Sequence, residues 1–118
     1  MPEILENNLP KKTREFKTNV ALESLGPNYE NVNGALAFHL LLDISRNLES
    51  IEGELNEEGR AILSRARELK QELQRQFDQT SDIRERGIID FKFHDNYKKE
   101  IADLHRRTRK LFEEGWEI

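Results

Sequence analysis

The chain has 118 residues, which is enough for one ordinary domain and too few for two. Hydrophobic and charged residues each make up 36% of the composition, a polar balance that is unusual for a compact enzyme of this size and favours helices with one buried stripe. The formal net charge of -4 excludes a general attraction for nucleic acid or anionic membranes, so binding to either requires a local basic patch.

Residues 1–30 are predicted to form an extended arm with at most a short helix or strand. All three prolines of the chain lie in this segment, and proline interrupts regular secondary structure. Apolar and polar residues alternate from Phe16 to Leu22, a pattern that a strand can use, although a helix fits the same residues. A bundle domain is predicted over residues 31–118.

The first long helix is predicted over residues 34–52. Its apolar residues recur at alternating steps of four and three, which is typical of a buried helical seam. They are Ala37, Leu41, Ile44, Leu48, Ile51 and Leu55. Gly53 provides a stop, and Asn56 can cap a second helix. Glu57 and Glu58 in its first turn favour the positive end of the helix dipole.

The second helix carries the longest regular seam of the chain, and two different ends are compatible with it. The seam consists of Ile62, Ala66, Leu69, Leu73, Gln76, Thr80 and Ile83. An unbroken helix from Glu57 to Arg86 is about 45 Å long and overhangs the first helix, to which the short connection makes it antiparallel. The alternative is a break at Thr80 or Ser81, either of which can cap a separate helix.

The segment after Gly87 changes its periodicity. Gly87 suits the left-handed residue that follows a helix. Ile89, Phe91 and Phe93 alternate with polar residues, so residues 88–93 are predicted to form a short strand or extended strap with one apolar face. Because a lone strand leaves its backbone unpaired, this segment needs a partner in the arm or in another subunit.

The third helix is predicted to begin near Asp95 or Asn96 and to end at Gly115. Its seam contains Tyr97, Ile101, Leu104, Thr108 and Leu111. The predicted fold class is therefore all-α: an antiparallel bundle of three main helices with a long second helix, an extended amino-terminal arm and a short strand near residues 88–93.

The histidines suggest sites for metal binding or acid–base chemistry, but their spacing does not support them. His94 and Asp95 are neighbours that point to opposite faces of an extended segment, and His105 lies about three turns further along a helix. His39 and Asp43 share a helix face, yet zinc usually takes at least three protein ligands. We interpret Asp95 as a helix cap and His39–Asp43 as a structural pair. No catalytic residue, metal site or cofactor is predicted, and the protein is not predicted to be an enzyme.

Three acidic pairs have the spacing of a magnesium-binding motif. They are Glu49 with Glu52, Glu54 with Glu57, and Glu100 with Asp103. They resemble fragments of the E-x-x-E and E-x-x-D motifs of helical nucleotide pyrophosphohydrolases of the MazG type, which bind Mg²⁺. The gap between the pairs is too long for that family, and the intervening helix has no acidic motif. A Mg²⁺-dependent helical hydrolase is therefore the least favoured functional hypothesis.

The charge distribution is more informative than the total charge. Residues 41–58 contain six acidic residues against one arginine, whereas residues 92–110 contain seven basic residues against three acidic ones. The helical cations lie opposite the seam of the third helix, so the basic face is expected to be exposed. It predicts docking of a protein partner with an acidic surface. The proposed charged contacts are Arg106, Arg107, Arg109 and Lys110, and the apolar anchors are Phe91, Phe93 and Trp116.

Nucleic-acid binding by the same basic face is the alternative function. It is disfavoured because no aromatic residue lies among the cations to stack a base, and because Asp103 interrupts them. The preferred hypothesis is a non-catalytic adaptor, regulator or assembly factor. The first helix also carries apolar residues outside its seam and therefore needs more than one covering partner. A homodimer is predicted to supply that cover, although the arm could supply it within a monomer.

Three features concern the location of the protein. The amino terminus lacks a basic segment followed by an apolar core, so no signal peptide is predicted. The longest apolar stretch, ALAFHLLLDI, is far shorter than the roughly 20 residues that cross a bilayer. The lack of cysteine excludes disulfides and is compatible with a reducing compartment. A cytoplasmic protein with no membrane partner is therefore expected.

Overall fold

A computed structural model of the protein describes residues 11, 12, 14–26 and 36–117. The elements in chain order are β1 (Lys11–Lys12), α1 (Val20–Glu23), α2 (Ala37–Glu49), a 3-10 helix (Glu52–Glu54), α3 (Glu57–Phe77), α4 (Ile83–Glu114) and β2 (Trp116–Glu117). Helices α2, α3 and α4 pack against one another around one core. The all-α helical bundle predicted from the sequence is confirmed. The strands form one short antiparallel contact, in which Lys11 pairs with Glu117 and Lys12 with Trp116.

The seams of the first two long helices lie in the core as predicted. Every apolar seam residue of the first helix is buried, from Ala37 to Leu55, and so are Ile62, Ala66, Leu69 and Leu73 in α3. The predicted cap of α3 is also present, because Asn56 Oδ1 accepts a hydrogen bond of 2.8 Å from the Gly59 amide.

Of the two ends that the sequence leaves open for the second helix, the unbroken helix to Arg86 is wrong. Helix α3 ends at Phe77, and the chain breaks over residues 78–82 before α4 begins. Asp82 caps α4, since its Oδ1 accepts a hydrogen bond of 2.8 Å from the Arg84 amide. The break lies next to the alternative predicted at Thr80 or Ser81. The last helix, with 32 residues, is therefore the longest.

The predicted strand over residues 88–93 is wrong, and so is the helix end at Gly87, because both lie inside α4. A strand would place Phe91 and Phe93 on one face, whereas the helix turns them apart. Phe91 is 49% exposed and Phe93 only 3%. A helix also satisfies its own backbone hydrogen bonds and needs no pairing strand. The helix start predicted at Asp95 or Asn96 is also wrong, because both residues lie inside α4 and Asp82 provides the cap. A kink follows at Tyr97, whose φ and ψ of -116° and 16° are not helical.

The described part of the arm folds back on α2 and α4. Phe16 makes edge-on ring contacts with His105 and Phe112, at centroid distances of 5.1 and 5.9 Å. Leu22 of α1 is fully buried. This is the monomeric cover that the sequence left as an alternative. Two of the extra apolar residues of α2 are also covered within the chain: Leu40 is fully buried, and Phe38 packs on Phe77 with ring centroids 6.0 Å apart.

Candidate functional site

The structural pair predicted between His39 and Asp43 is wrong. The Asp43 carboxylate accepts hydrogen bonds of 3.0 and 3.3 Å from the Asn19 amide, and its Oδ2 lies 3.3 Å from Nε2 of His105. Nδ1 of His39 is buried and has no hydrogen-bond partner among the described residues. Asp43 therefore ties the arm to α2 and α4, and this role is structural.

A second buried polar cluster joins α4 to the start of α2. Asp90 accepts hydrogen bonds of 3.0 Å from the amides of both Ala37 and Phe38. Leu36, at the N-cap position of α2, makes no capping hydrogen bond with its side chain, and Asp90 acts as the cap from another helix. Burial raises the pKa of Asp90, whereas the two amide bonds and the neighbouring His39 and His94 oppose that rise.

His94 lies one turn after Asp90 and is 2% exposed. Burial lowers its pKa, and its Nε2 has no hydrogen-bond partner in the described part of the chain. Both amide-bonded oxygens of Asp90 are already engaged in capping. No group of three His, Asp or Glu side chains among the described residues is arranged to bind a metal ion. The cluster positions helices and offers no obvious acid–base pair.

Four of the six carboxylates that suggested a magnesium motif, Glu49, Glu52, Glu100 and Asp103, form ion pairs with arginines. Glu100 forms two hydrogen bonds with Arg65, at 2.6 and 3.0 Å, and these bonds lower the pKa of Glu100. Arg67 lies 2.9 Å from Glu49 and 3.1 Å from Glu52. These pairs connect α3 to its neighbours in the bundle, which gives the acidic residues a structural explanation.

The predicted basic face lies on the outside of α4, but part of its charge is used within the chain. Arg107 lies 3.4 Å from Glu58 and 3.6 Å from Asp103, and Arg106 lies 3.6 Å from Asp103. Arg106 and Lys110 are exposed, whereas Arg107 and Arg109 are half-buried. The structure thus brings the four cations onto one stretch of helix that acidic side chains partly neutralise.

The three predicted apolar anchors have different environments. Phe93 is buried in the core and stacks near Tyr97 at a centroid distance of 4.7 Å, so a partner cannot reach it. The side chain of Trp116 lies outside the described part of the structure. Phe91 is half-exposed and remains available for contact.

The largest exposed apolar side chains of the bundle lie on the amino-terminal third of α4, residues 83–92. The exposed fractions are 83% for Ile83, 55% for Ile88 and 49% for Phe91. The sequence predicted Ile83 in the core seam and Ile88 in the strand over residues 88–93, because the second seam extends past the true end of its helix. The signal that could have corrected it was Asp82, a strong helix cap.

Comparison with known proteins adds no relative. No family model matches the chain, and no curated protein or solved structure is significantly similar to it. Among the described residues, none of the helices combines the length and apolar character that a bilayer crossing requires.

Proposed function

We propose that the protein is a small, non-catalytic cytoplasmic adaptor, regulator or assembly factor that acts through protein–protein contact and associates as a homodimer. The observation that carries this proposal is the exposure of Ile83, Ile88 and Phe91 on one end of α4. Large apolar side chains clustered on the surface are typical of interaction sites, and an aromatic residue is a frequent anchor.

The charged residues support a secondary role in this contact. Arg106 and Lys110 are exposed and can steer an acidic partner toward α4. The ion pairs of Arg106 and Arg107 with Asp103 and Glu58 reduce the charge available to a partner. The engagement of Glu49, Glu52 and Glu100 by arginines also favours a non-catalytic role.

Light scattering after size exclusion, over a dilution series, tests this proposal. We expect the mass of the wild-type protein to rise toward that of a dimer with concentration, and Ile88→Ser and Phe91→Ser to remain monomeric. Both side chains are exposed, so circular dichroism should show unchanged helix content. Val20→Ser is a matched control, because Val20 is 77% exposed and belongs to α1, a different helix. A wild-type monomer at every concentration would contradict self-association.

The exposed cations Arg106 and Lys110 leave nucleic-acid binding as a second candidate. Fluorescence anisotropy with a labelled single-stranded oligonucleotide distinguishes the two functions. Salt-dependent binding that is lost in Arg106→Glu/Arg107→Glu, with the fold intact, would favour the nucleic-acid function. The protein-contact proposal expects no such binding.

A further inference from the structure

One exposed stripe of α4 has a sequence that is complementary to itself. Arg84, Ile88, Phe91 and Asp95 follow one another at steps of four, three and four residues, and all four are exposed. At about 100° per residue, these steps place the four side chains within about 60° of one another on the helix surface. Along the helix the stripe reads cation, apolar, apolar, anion.

We propose that this stripe binds the same stripe of a second copy, with the two α4 helices antiparallel. This inference rests on the proposed homodimer and specifies its contact. A two-fold axis between residues 89 and 90 places Ile88 level with the partner's Phe91 and Arg84 level with the partner's Asp95. Each copy therefore contributes the same patch, as an isologous interface requires.

The flanking charges favour the same orientation. Glu85 and Lys92 follow one another along the same edge of the stripe. The antiparallel arrangement brings Glu85 of each copy close to the partner's Lys92. The hydroxyl of Thr80 donates a hydrogen bond to Glu85, which leaves the charge of that carboxylate intact. A parallel arrangement would oppose Arg84 to Arg84 and Asp95 to Asp95, and like charges at these levels repel.

The charged residues at the two ends of the stripe are not neutralised by other described residues. Within the described residues, neither the Arg84 guanidinium nor the Asp95 carboxylate takes part in an ion pair, in contrast to Arg65, Arg67 and Arg107. A second copy can therefore pair with both without breaking an existing contact. The core-facing residues Asp90 and Phe93 lie on other sides of the helix, so the stripe faces away from the core that the described helices form.

The size of the contact sets the expected strength of the dimer. The stripe covers about three turns and about 16 Å of helix. A contact of this length buries less surface area than a stable homodimer usually does, so association is weak and depends on concentration. The experiment therefore needs sedimentation at high protein concentrations.

Charge reversal tests the pairing of Arg84 with Asp95. Arg84→Glu and Asp95→Arg should each raise the dissociation constant of the dimer by about tenfold, because each creates two like-charge contacts. The double variant Arg84→Glu/Asp95→Arg restores opposite charges and should return the dissociation constant close to that of the wild type. Two single variants that dimerise like the wild type, or a double variant that fails to recover, would overturn the pairing.

Disulfide cross-linking tests the direction of the helices. Because the chain has no cysteine, only the introduced thiols can form a cross-link. Under oxidation, a mixture of Arg84→Cys and Asp95→Cys should form a cross-linked heterodimer. Each variant alone should not, because identical positions are about 16 Å apart in the antiparallel pair. Ser64→Cys, on the exposed side of α3, is the control that should form no disulfide cross-link.

The outcomes separate this inference from the proposed function. Cross-linking of Arg84→Cys with itself would overturn the antiparallel arrangement and retain self-association. Absence of any dimer by sedimentation would overturn both. A dimer that persists in Ile88→Ser and Phe91→Ser would overturn this stripe as the contact while leaving a homodimer.

Discussion

Asp90 has the role in α2 that a serine or aspartate at the start of the helix usually has. Its carboxylate accepts hydrogen bonds from the Ala37 and Phe38 amides, although it belongs to a helix 53 residues away in sequence. Burying a carboxylate is costly, and the two amide bonds offset that cost. The side chain therefore fixes the position of α2 relative to α4.

The two helical glycines differ in their surroundings and should respond differently to alanine. A Cβ at Gly87 meets nothing within 4 Å, whereas a Cβ at Gly59 would lie 2.8 Å from Cδ2 of the buried Leu55. We expect Gly87→Ala to raise the free energy of unfolding by about 1 kcal/mol, because alanine has the higher helix propensity. Gly59→Ala should lower it by about 1 kcal/mol through overpacking.

Urea denaturation of the two variants, at a concentration where the protein is monomeric, measures both effects. Each variant serves as the control for the other, since the chemical change is the same. Equal stabilisation by both substitutions would show that Leu55 moves aside without cost.

At the scale of elements, side chains of α2 hold the arm by its backbone. Asn47 accepts a hydrogen bond of 2.9 Å from the Lys17 amide and donates one of 3.1 Å to the Lys17 carbonyl. One turn earlier, the Asp43 carboxylate accepts a hydrogen bond from the backbone amide of Asn19. The two side chains thus bond to the arm much as a neighbouring strand would, which secures Phe16 in its pocket.

Asn47→Leu should release the arm. The substitution removes the bonds to Lys17 and leaves its backbone groups unpaired, so we expect a loss of about 2 kcal/mol in the free energy of unfolding. Trypsin should then cleave faster at Arg14 and Lys17, which limited proteolysis with mass spectrometry measures. Gln71→Leu replaces an exposed amide on α3 and should leave the cleavage rate unchanged. An unchanged rate in Asn47→Leu would contradict the clamp.

The sequence was sufficient for elements whose signals are local. The seams of α2 and α3 follow from apolar spacing, and the cap at Asn56 is adjacent to the helix it begins. The start of α4 was missed because the alternation of Ile89, Phe91 and Phe93 fits a strand as well as it fits one buried and one exposed helix face. The cap of α2 by Asp90 was missed because no local pattern reveals a hydrogen bond between distant segments.

On the candidate surface, too, some features follow from local sequence signals and others depend on packing. The basic residues of α4 were correctly placed on one stretch of helix, since charge and helical spacing are visible in the sequence. Their ion pairs with Glu58 and Asp103 and the burial of Phe93 depend on how the helices pack. The stripe from Arg84 to Asp95 becomes visible only once the helix is known to begin at Ile83.

At the scale of the whole molecule, buried His94 should make the protein sensitive to mild acid. Its pKa in the folded state is lowered from 6.5, chiefly by burial and also by Lys98, while Asp90 and Asp95 oppose the shift. As pH falls through 6.5, the unfolded chain takes up this proton before the folded one, so stability is lost until the folded pKa is passed. The contribution of Asp90 to the pH dependence of stability has the opposite sign, because its pKa is raised in the folded state. Protonation of Asp90 at more acidic pH therefore adds stability.

We expect the free energy of unfolding to decrease from about pH 7.5 to about pH 5.5, and the decrease to be smaller in His94→Leu. Urea denaturation at several pH values measures the slope for both proteins. The comparison concerns the slope, so a uniform change in stability caused by the substitution does not affect it. The same slope in both proteins would show that His94 does not cause the acid sensitivity.

The capping of α2 by Asp90 also bears on the order in which the chain folds. The first amides of α2 receive their partner only after a residue synthesised 53 positions later has emerged from the ribosome. Until then, the start of α2 depends on water for its hydrogen bonds and can fray. The packing of α2 against α3 should therefore remain incomplete during synthesis. Helix α4 should then complete the bundle in one cooperative step.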